Sequence, residues 1–386
     1  MGTYSEYIEK MKSFLEITTE RKRQLKRISQ LRGNRDILVI ASDVQKQAPI
    51  SIDYSDILPI KDQIENLNTS KLDVILETPG GSAEVAEDIV KLLRGQFKEI
   101  GFIIPGIAKS AGTIIVMAGD EILMEPASAL GPIDAQIVHQ GKVFSADAFI
   151  EGLDKIKEEV KESGYLNKAY IPILQGISPG EIQKCVNALD FSKTLVSNWL
   201  AQYKFKNWLE HSSTGQKVTD DERKKRAEEI ATKLCAHGDW LTHGRSIKIE
   251  DLVDMKLLIT DYSKDSNLFD AIKRYYTLLR MSFDTTNMFK LFETPSSQIY
   301  RFSSPIVPVP PPQKQISGEV AMIDFVCQKC TNRTKLQANL GKKRPIQEGA
   351  IPFPSTNTFN CPHCGTESNL ASIRNQIEAQ TKKKIV

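Results

Sequence analysis

The chain contains no run of about 18 apolar residues, so nothing in it reads as a membrane-spanning helix. Its first residues, MGTYSEYIEKMKSFLEITTERKRQLKR, mix acids and bases and hold no apolar stretch of the kind a secretory signal requires. Gly2 is present, but Glu6 stands where a myristoylation signal carries Ser or Thr, which argues against a lipid. The net charge of +3 is too small to imply a nucleic-acid partner by itself. There is no internal repeat and no P-loop, so any energy-dependent unfolding of a substrate falls to a partner. Cysteine is scarce: six residues, of which Cys185 and Cys235 stand singly in helical-looking sequence and read as buried thiols. The other four form two CxxC pairs, and without an export signal that pattern favours a metal over disulfides. These absences together predict a cytoplasmic protein.

What remains is a composition with 40% hydrophobic and 26% charged residues, enough for a sizeable core in a soluble chain. Residues 1–35 read as a basic amphipathic helix, with Ile8, Met11, Leu15, Leu25, Ile28 and Leu31 apolar and Arg21, Lys22, Arg23, Lys26 and Arg27 basic. Such a face is either solvated or docked on its own domain or on a neighbouring subunit. From Asp36 the pattern changes. DILVIAS (36–42), LDVILET (72–78), IGFIIPG (100–106) and EILME (121–125) have the Val/Ile/Leu content of buried strands. Helical segments alternate with them; in the first, Val85, Ile89, Leu92 and Leu93 share one face. The alternation predicts an α/β fold with right-handed crossovers and a largely parallel sheet over 36–262. Residues 145–235 read as mostly helical and 263–293 as a helical extension. The Pro- and Ser-rich stretch 294–319 reads as an extended linker, and 320–386 as a separate small module.

Two turns carry the chemistry. In ETPGGSAE (77–84) a strand end passes through Pro79-Gly80-Gly81 into a helix, which leaves backbone N–H groups free to point outward. GIAKSAGT (106–113) repeats the strand-to-helix geometry one crossover later and places Ser110 at a helix start. In a parallel sheet both turns fall at strand carboxyl ends, where open α/β sheets put their sites. A hydroxyl on one turn and N–H donors on the other can then face a common carbonyl, as acyl transfer requires. Ser110 also suits a purely structural role, since serine caps the orphan N–H groups of a helix.

This pairing resembles the ClpP/crotonase superfamily, and within it the serine-protease branches. TPGGS is similar to the corresponding turn of Clp protease and signal peptide peptidase A. AKSAGTIIVMAGDEILMEPASALGPID is similar to the nucleophile helix and following strand of the serine-dehydrogenase-proteinase family and of NfeD-type proteases. LGPIDAQ (130–136) and DWLTHGRSIKIEDLVDMKLL (239–258) resemble the serine-dehydrogenase-proteinase branch best. The resemblance implies a spiral ClpP/crotonase-like domain of parallel βαβ units, a protein or peptide substrate, and a homo-oligomer. It also implies Ser110 as nucleophile, with the N–H groups of Gly81 and Ala111 as oxyanion hole. The base is open. The early histidine of Clp proteases is missing from PASALGPID; His139 follows a few residues on, in IVHQGK. Lysine-dependent relatives direct attention to Lys142, and His243 lies near where Clp proteases keep their triad acid. Lys109 adjoins Ser110, but successive residues point apart. Lys256 replaces a glycine that the family usually has. Two other readings fit parts of the pattern: a catalytically inactive scaffold, and an acyl-CoA enzyme of the crotonase class.

Cys327/Cys330 and Cys361/Cys364 enclose 30 residues and read as a four-thiolate zinc ribbon. Gly365 supplies the turn after the second pair and Thr331-Asn332 stands after the first, while His363, inside the second pair, reads as a surface residue. Four sulfurs leave no position for water, so the zinc is expected to be structural and the module to serve recognition of a substrate, an adaptor or unfoldase, or the phosphates of a nucleic acid. Its basic NRTK, GKKRP and TKKKIV segments bear on the last of these.

Overall fold

The computed structural model describes residues 2–11, 13–139, 142–211, 214–242, 244–303, 314–317 and 319–386, with the side chains of 138, 139, 142, 237 and 314–317 outside that description. The chain forms two compact units, residues 1–304 and 305–386.

In the first unit, helices α1 (Thr3–Lys10) and α2 (Phe14–Leu31) precede strand β1 (Asp36–Ser42) and α3 (Ile57–Ile64). Then come β2 (Lys71–Glu77), α4 (Ala83–Gln96), β3 (Glu99–Ile104), β4 (Ile107–Ala108), α5 (Ala111–Met117), β5 (Glu121–Met124) and β6 (Ala129–Leu130). The hairpin β7 (Gln136–His139) and β8 (Lys142–Ser145) leads into α6 (Ala146–Ser163), α7 (Ile171–Gln175), α8 (Pro179–Trp199), α9 (Asp220–Cys235), α10 (His237–Trp240) and α11 (Ile249–Asp254). The unit closes with β9 (Thr260–Asp261), α12 (Ser266–Asp284), β10 (Met288–Glu293) and β11 (Gln298–Phe302).

The main sheet has the order β11-β10-β1-β2-β3-β5-β9. From β1 to β9 it is parallel, as the βαβ pattern predicts. Each strand points alternate residues to opposite faces. Leu38, Ile40, Leu72, Val74, Leu76, Phe102 and Ile104 therefore meet the layer of α3, α4, α5, α8 and α9. Ile37, Val39, Ala41, Ile75, Ile103 and Leu123 meet α2 and α12 on the other face.

Three stretches differ from the sequence reading. The basic N-terminal stretch is two helices, the second opened by a capping box on Ser13 and Glu16. It docks on its own unit through Arg21, which is fully buried and donates to the Glu293 carboxylate at 3.1 and 3.2 Å. The region read as helical over 263–293 is α12 followed by strand β10, antiparallel to β1. MFKLFE hid its strand character because Lys290 and Glu293 look solvent-facing, yet both are buried against partners distant in sequence. The stretch read as a linker over 294–319 is shorter, because Gln298–Phe302 pairs with β10 and Lys314–Ser317 pairs within the second unit.

The second unit contains β12 (Lys314–Ser317), β13 (Val320–Val326), β14 (Arg333–Asn339) and β15 (Ala350–Pro352) in one sheet. The hairpin of β16 (Thr358–Asn360) and β17 (Glu367–Asn369) and helix α13 (Ala371–Thr381) complete it. Ala321, Ile323, Leu336, Ala338, Phe353, Phe359, Leu370 and Ile377 form its core. No helix among the described residues is long and apolar enough to cross a membrane.

Candidate active site and metal centre

The PGG turn and the serine turn are joined by backbone hydrogen bonds. Thr78 N–H donates to the Ile107 carbonyl at 2.9 Å, and Lys109 N–H donates to the Thr78 carbonyl at 3.1 Å. The chain from β2 thus runs beside β4 up to Ser110. Ser110 then turns with φ 51° and ψ −117°, a conformation that side-chain-bearing residues avoid, before α5 begins at Ala111. All seven residues of α5 are buried, which fixes the helix axis on which the serine sits. The Thr113 hydroxyl lies 2.9 Å from the Ala108 carbonyl and 2.8 Å from that of Gly131, and it accepts from Gly131 N–H at 3.1 Å. That side chain clamps β4, α5 and the LGPID turn together.

Gly80 and Gly81 are required by space and by backbone angle. A Cβ on Gly80 (φ +105°) would lie 2.7 Å from the Ser110 Cβ and the Lys109 carbonyl oxygen. One on Gly81 (φ +154°) would lie 2.3–2.4 Å from backbone atoms of Ile52. Ile52 holds this turn in place: its N–H donates to the Gly80 carbonyl at 2.8 Å, and its carbonyl accepts from Ser82 N–H at 3.0 Å. The Ile52 segment is in turn held by Lys290 of β10, whose Nζ reaches the Ser51 carbonyl at 2.6 Å and both Asp56 oxygens at 2.8 Å.

Among the described residues the N–H groups of Gly81 and Ala111 have no acceptor. Both residues line, with Ser110, a cleft of about 380 Å³. Its wall further includes Ser51, the Pro79–Glu84 turn into α4, Ile114, Ile133 through Gln136, and Ala188, Phe191 and Ser192 of α8. The Asp134 carboxylate on this wall is buried and accepts from Ser145 at 2.6 Å and from Gln136 at 2.7 Å.

The structure therefore brings Ser110, Gly81 and Ala111 together. Lys142 and His139 are backbone partners at the tip of the β7–β8 hairpin, whose base, at Gln136 and Ser145, borders the cleft. Their side chains, like the whole of His243, lie outside the described residues. Gly244, which follows His243, accepts from Lys109 Nζ at 2.5 Å, so the Lys109 side chain leaves the cleft, as alternation along the backbone predicts. No lysine or histidine among the described residues lines the cleft. Sequence reading did not find Thr113, Asp134, Lys290 or the α8 wall; only Thr113, a lone hydroxyl in a run of small and apolar residues, carries a local signal.

Directly beneath the site, Glu77 ends β2 with its carboxyl buried. It accepts from Ile107 N–H at 2.9 Å and from the Tyr276 hydroxyl at 3.1 Å. Burial pushes this carboxyl up to about 7, against the opposing effect of those two donors and of Arg280.

In the second unit the four cysteine sulfurs lie within 4.8 Å of one another. Cys327 and Cys364 Sγ are 3.6 Å apart, and Cys330 and Cys361 Sγ 3.7 Å. A tetrahedral ion with metal–sulfur bonds of about 2.3 Å needs sulfurs about 3.8 Å apart, so the set fits one metal. The two pairs are built alike. Thr331 N–H returns to the Cys327 carbonyl and Gly365 N–H to the Cys361 carbonyl, each at 2.9 Å, with φ of 59° and 69° at the returning residue. His363 is exposed and outside the cluster.

Residues 7–168 match the family described as ClpP-like SDH-type serine proteinase. Two uncharacterised proteins of Methanocaldococcus jannaschii are similar to parts of the chain. One is 30% identical over 147 residues, 36% of this chain and 50% of that protein. The other is 41% identical over 66 residues, 17% of this chain and 23% of that protein. The chain thus spans half or less of the curated relatives it matches. Among solved structures, a serine-to-alanine mutant of the 1510-N membrane-bound stomatin-specific protease aligns at 14% identity and TM-score 0.33, over 57% of this chain and 79% of that one. A lysine-to-alanine mutant of the same protease, in complex with a substrate peptide, aligns at 15% and 0.34, over 57% and 75%. An asparagine-to-aspartate mutant of ClpP1 from Listeria monocytogenes aligns at 10% and 0.31, over 62% and 99%.

Proposed function

We propose that this chain, whose residues 7–168 carry the ClpP-like SDH-type serine proteinase domain, hydrolyses peptide bonds through an acyl-enzyme on Ser110. The observation that carries the reading is the shared cleft: a serine on a strained strand-to-helix turn, with two acceptorless N–H groups beside it. In the first step Ser110 Oγ bonds to the scissile carbonyl carbon, its proton passes to the base, and the oxyanion takes the N–H groups of Gly81 and Ala111. Collapse breaks the C–N bond, and the amine leaves with that proton. Water, deprotonated by the same base, then cleaves the ester and restores the serine. The base is drawn from Lys142, His243 or His139. The pH–rate profiles of the three single variants distinguish them: an unperturbed histidine base gives an acid limb near about 6.5 that its own substitution abolishes, whereas a lysine base must have its amine lowered by burial.

The cysteine cluster is assigned to zinc, held by Cys327, Cys330, Cys361 and Cys364. With four thiolates in place the metal supplies structure and no open coordination position. The unit built on it selects substrates or docks an adaptor or unfoldase, its basic surface also suiting a nucleic-acid backbone. The protein acts in the cytoplasm as a homo-oligomer. Digestion of proteome-derived peptides, read by mass spectrometry for wild type and Ser110→Ala at matched oligomeric state and zinc content, tests the activity. Cleavages confined to wild type support it.

The second reading, an inactive scaffold, is favoured by PASALGPID lacking the early histidine of Clp proteases and by Lys256 standing where the family usually has glycine. It predicts identical digests from the two proteins. The crotonase-class reading predicts that coenzyme A raises the melting temperature.

A further inference from the structure

The connection from α8 to α9 has a geometry that the peptide cleft does not require. α8 ends at Trp199, and Leu200–Lys204 continues it as a π-helical turn. Such turns give up hydrogen-bond geometry and concentrate at functional sites. This one brings Tyr203 and Lys204 to the wall of a second cleft, of about 800 Å³, that shares no lining residue with the first. Phe205 and Trp208 line it from the following loop, Arg226 from α9, and Lys256 from the end of α11.

The three cations are poorly neutralised by the protein. Among the described residues Lys204 Nζ reaches only the Asp120 carbonyl, at 3.4 Å, and burial pushes its ammonium down to about 8 despite the nearby Glu121 and Asp120 carboxylates. Asp120 also lines this cleft, but its carboxylate is already engaged by Arg94, at 2.8 Å, and by Lys206. Arg226 pairs with Glu229 at 3.0 Å, where both side chains are exposed and the pair is weak. Lys256 has no carboxylate partner among the described residues. Its backbone is also costly: α11 closes with Leu257 N–H on the Leu252 carbonyl and Lys256 N–H on the Val253 carbonyl, which puts Lys256 at φ +63° in the position glycine normally takes. A lysine there holds a left-handed backbone that glycine adopts without strain, and its side chain lines the cleft.

Three cations converge from three elements beside the rings of Trp208 and Phe205, in a volume within the range of small-molecule sites. We infer that this cleft binds a nucleoside phosphate, its phosphates on Lys204, Arg226 and Lys256 and its base against Trp208. An anion of single charge, such as a fatty-acid or peptide carboxylate, leaves two of the three cations unanswered.

The test is titration of the full-length protein with AMP, ADP, adenosine and inorganic phosphate, followed by tryptophan fluorescence and melting temperature. ADP or AMP is expected to quench fluorescence saturably and raise the melting temperature, with the quench lost in Trp208→Phe. Lys256→Gly and Arg226→Gln are each expected to weaken binding about tenfold, the loss of one charge-assisted contact. Lys256→Gly restores the favoured residue to its turn, so it does not unfold the protein, and it leaves peptide cleavage unchanged. The proposal is overturned if neither nucleotide gives a saturable response, if both substitutions leave the affinity unaltered, or if a fatty acid binds and the nucleotides do not.

Discussion

Ser110 keeps φ at 51° and ψ at −117° although nothing in its side-chain chemistry pays for the strain in the resting protein. Backbone in such sparsely populated regions costs about 1–3 kcal/mol and persists where the surroundings over-determine it. Here the surroundings are the Thr78–Ile107–Lys109 ladder on one side and Thr113 on the other. Ser110→Gly should therefore be about 1 kcal/mol more stable than Ser110→Ala in urea unfolding while both lack activity, since glycine relaxes the backbone that alanine leaves strained. Glu77 gives a second prediction. Its folded carboxyl titrates near 7 against an ordinary value of 4.5. The fold thus holds the proton more tightly than the unfolded chain does, and this contribution is full below about 4.5 and lost as pH rises through about 7. Wild type should lose on the order of 3 kcal/mol between pH 5 and pH 8 from this group, and Glu77→Gln should flatten that slope in chemical unfolding at the two pH values.

At the level of elements, β10 supports the Gly80–Gly81 side of the cleft from behind. Lys290 on that strand grips Asp56 and the Ser51 carbonyl, and the Ile52 segment between them pins the Gly80–Gly81 turn. Lys290→Met leaves the buried Asp56 carboxylate with only the more distant Arg301, at 3.8 Å, and should cost about 3 kcal/mol in denaturant unfolding. Adding Asp56→Leu should recover part of that loss. Gly81→Ala meets Ile52 backbone at 2.3 Å and should lower turnover about 10²–10³-fold through displacement of one N–H donor. The central strands, α4 and the two turns were legible in the sequence because hydrophobic runs and glycine punctuation are local signals. β10 was not, because its charged residues are satisfied by Arg21 and Asp56, more than 200 positions away. The base was not legible either: residue type admits Lys142, His243 and His139 alike, and only distance to Ser110 separates them.

In the whole molecule the Ser110 cleft and the cysteine cluster belong to different compact units, each with its own apolar core. A small core closed by four cysteines is expected to need a bound metal to fold. The full-length protein should carry one zinc per chain, released as four thiols are titrated by an organomercurial, with loss of the β structure of the second unit seen by hydrogen exchange. Cys185 and Cys235 are buried in the first unit and should stay unreactive in that titration. More than four reactive thiols in the folded chain would contradict this division.

If Ser110 is a nucleophile activated in place, covalent labelling will show it without knowledge of the substrate. The full-length protein is incubated with a fluorophosphonate, and the adduct is located by intact mass and peptide mapping. One adduct per chain is expected on Ser110, absent from Ser110→Ala and formed at least about 100-fold more slowly in Gly81→Ala, where an N–H donor is displaced. An unlabelled wild-type serine, or equal labelling of wild type and Ser110→Ala, would contradict it.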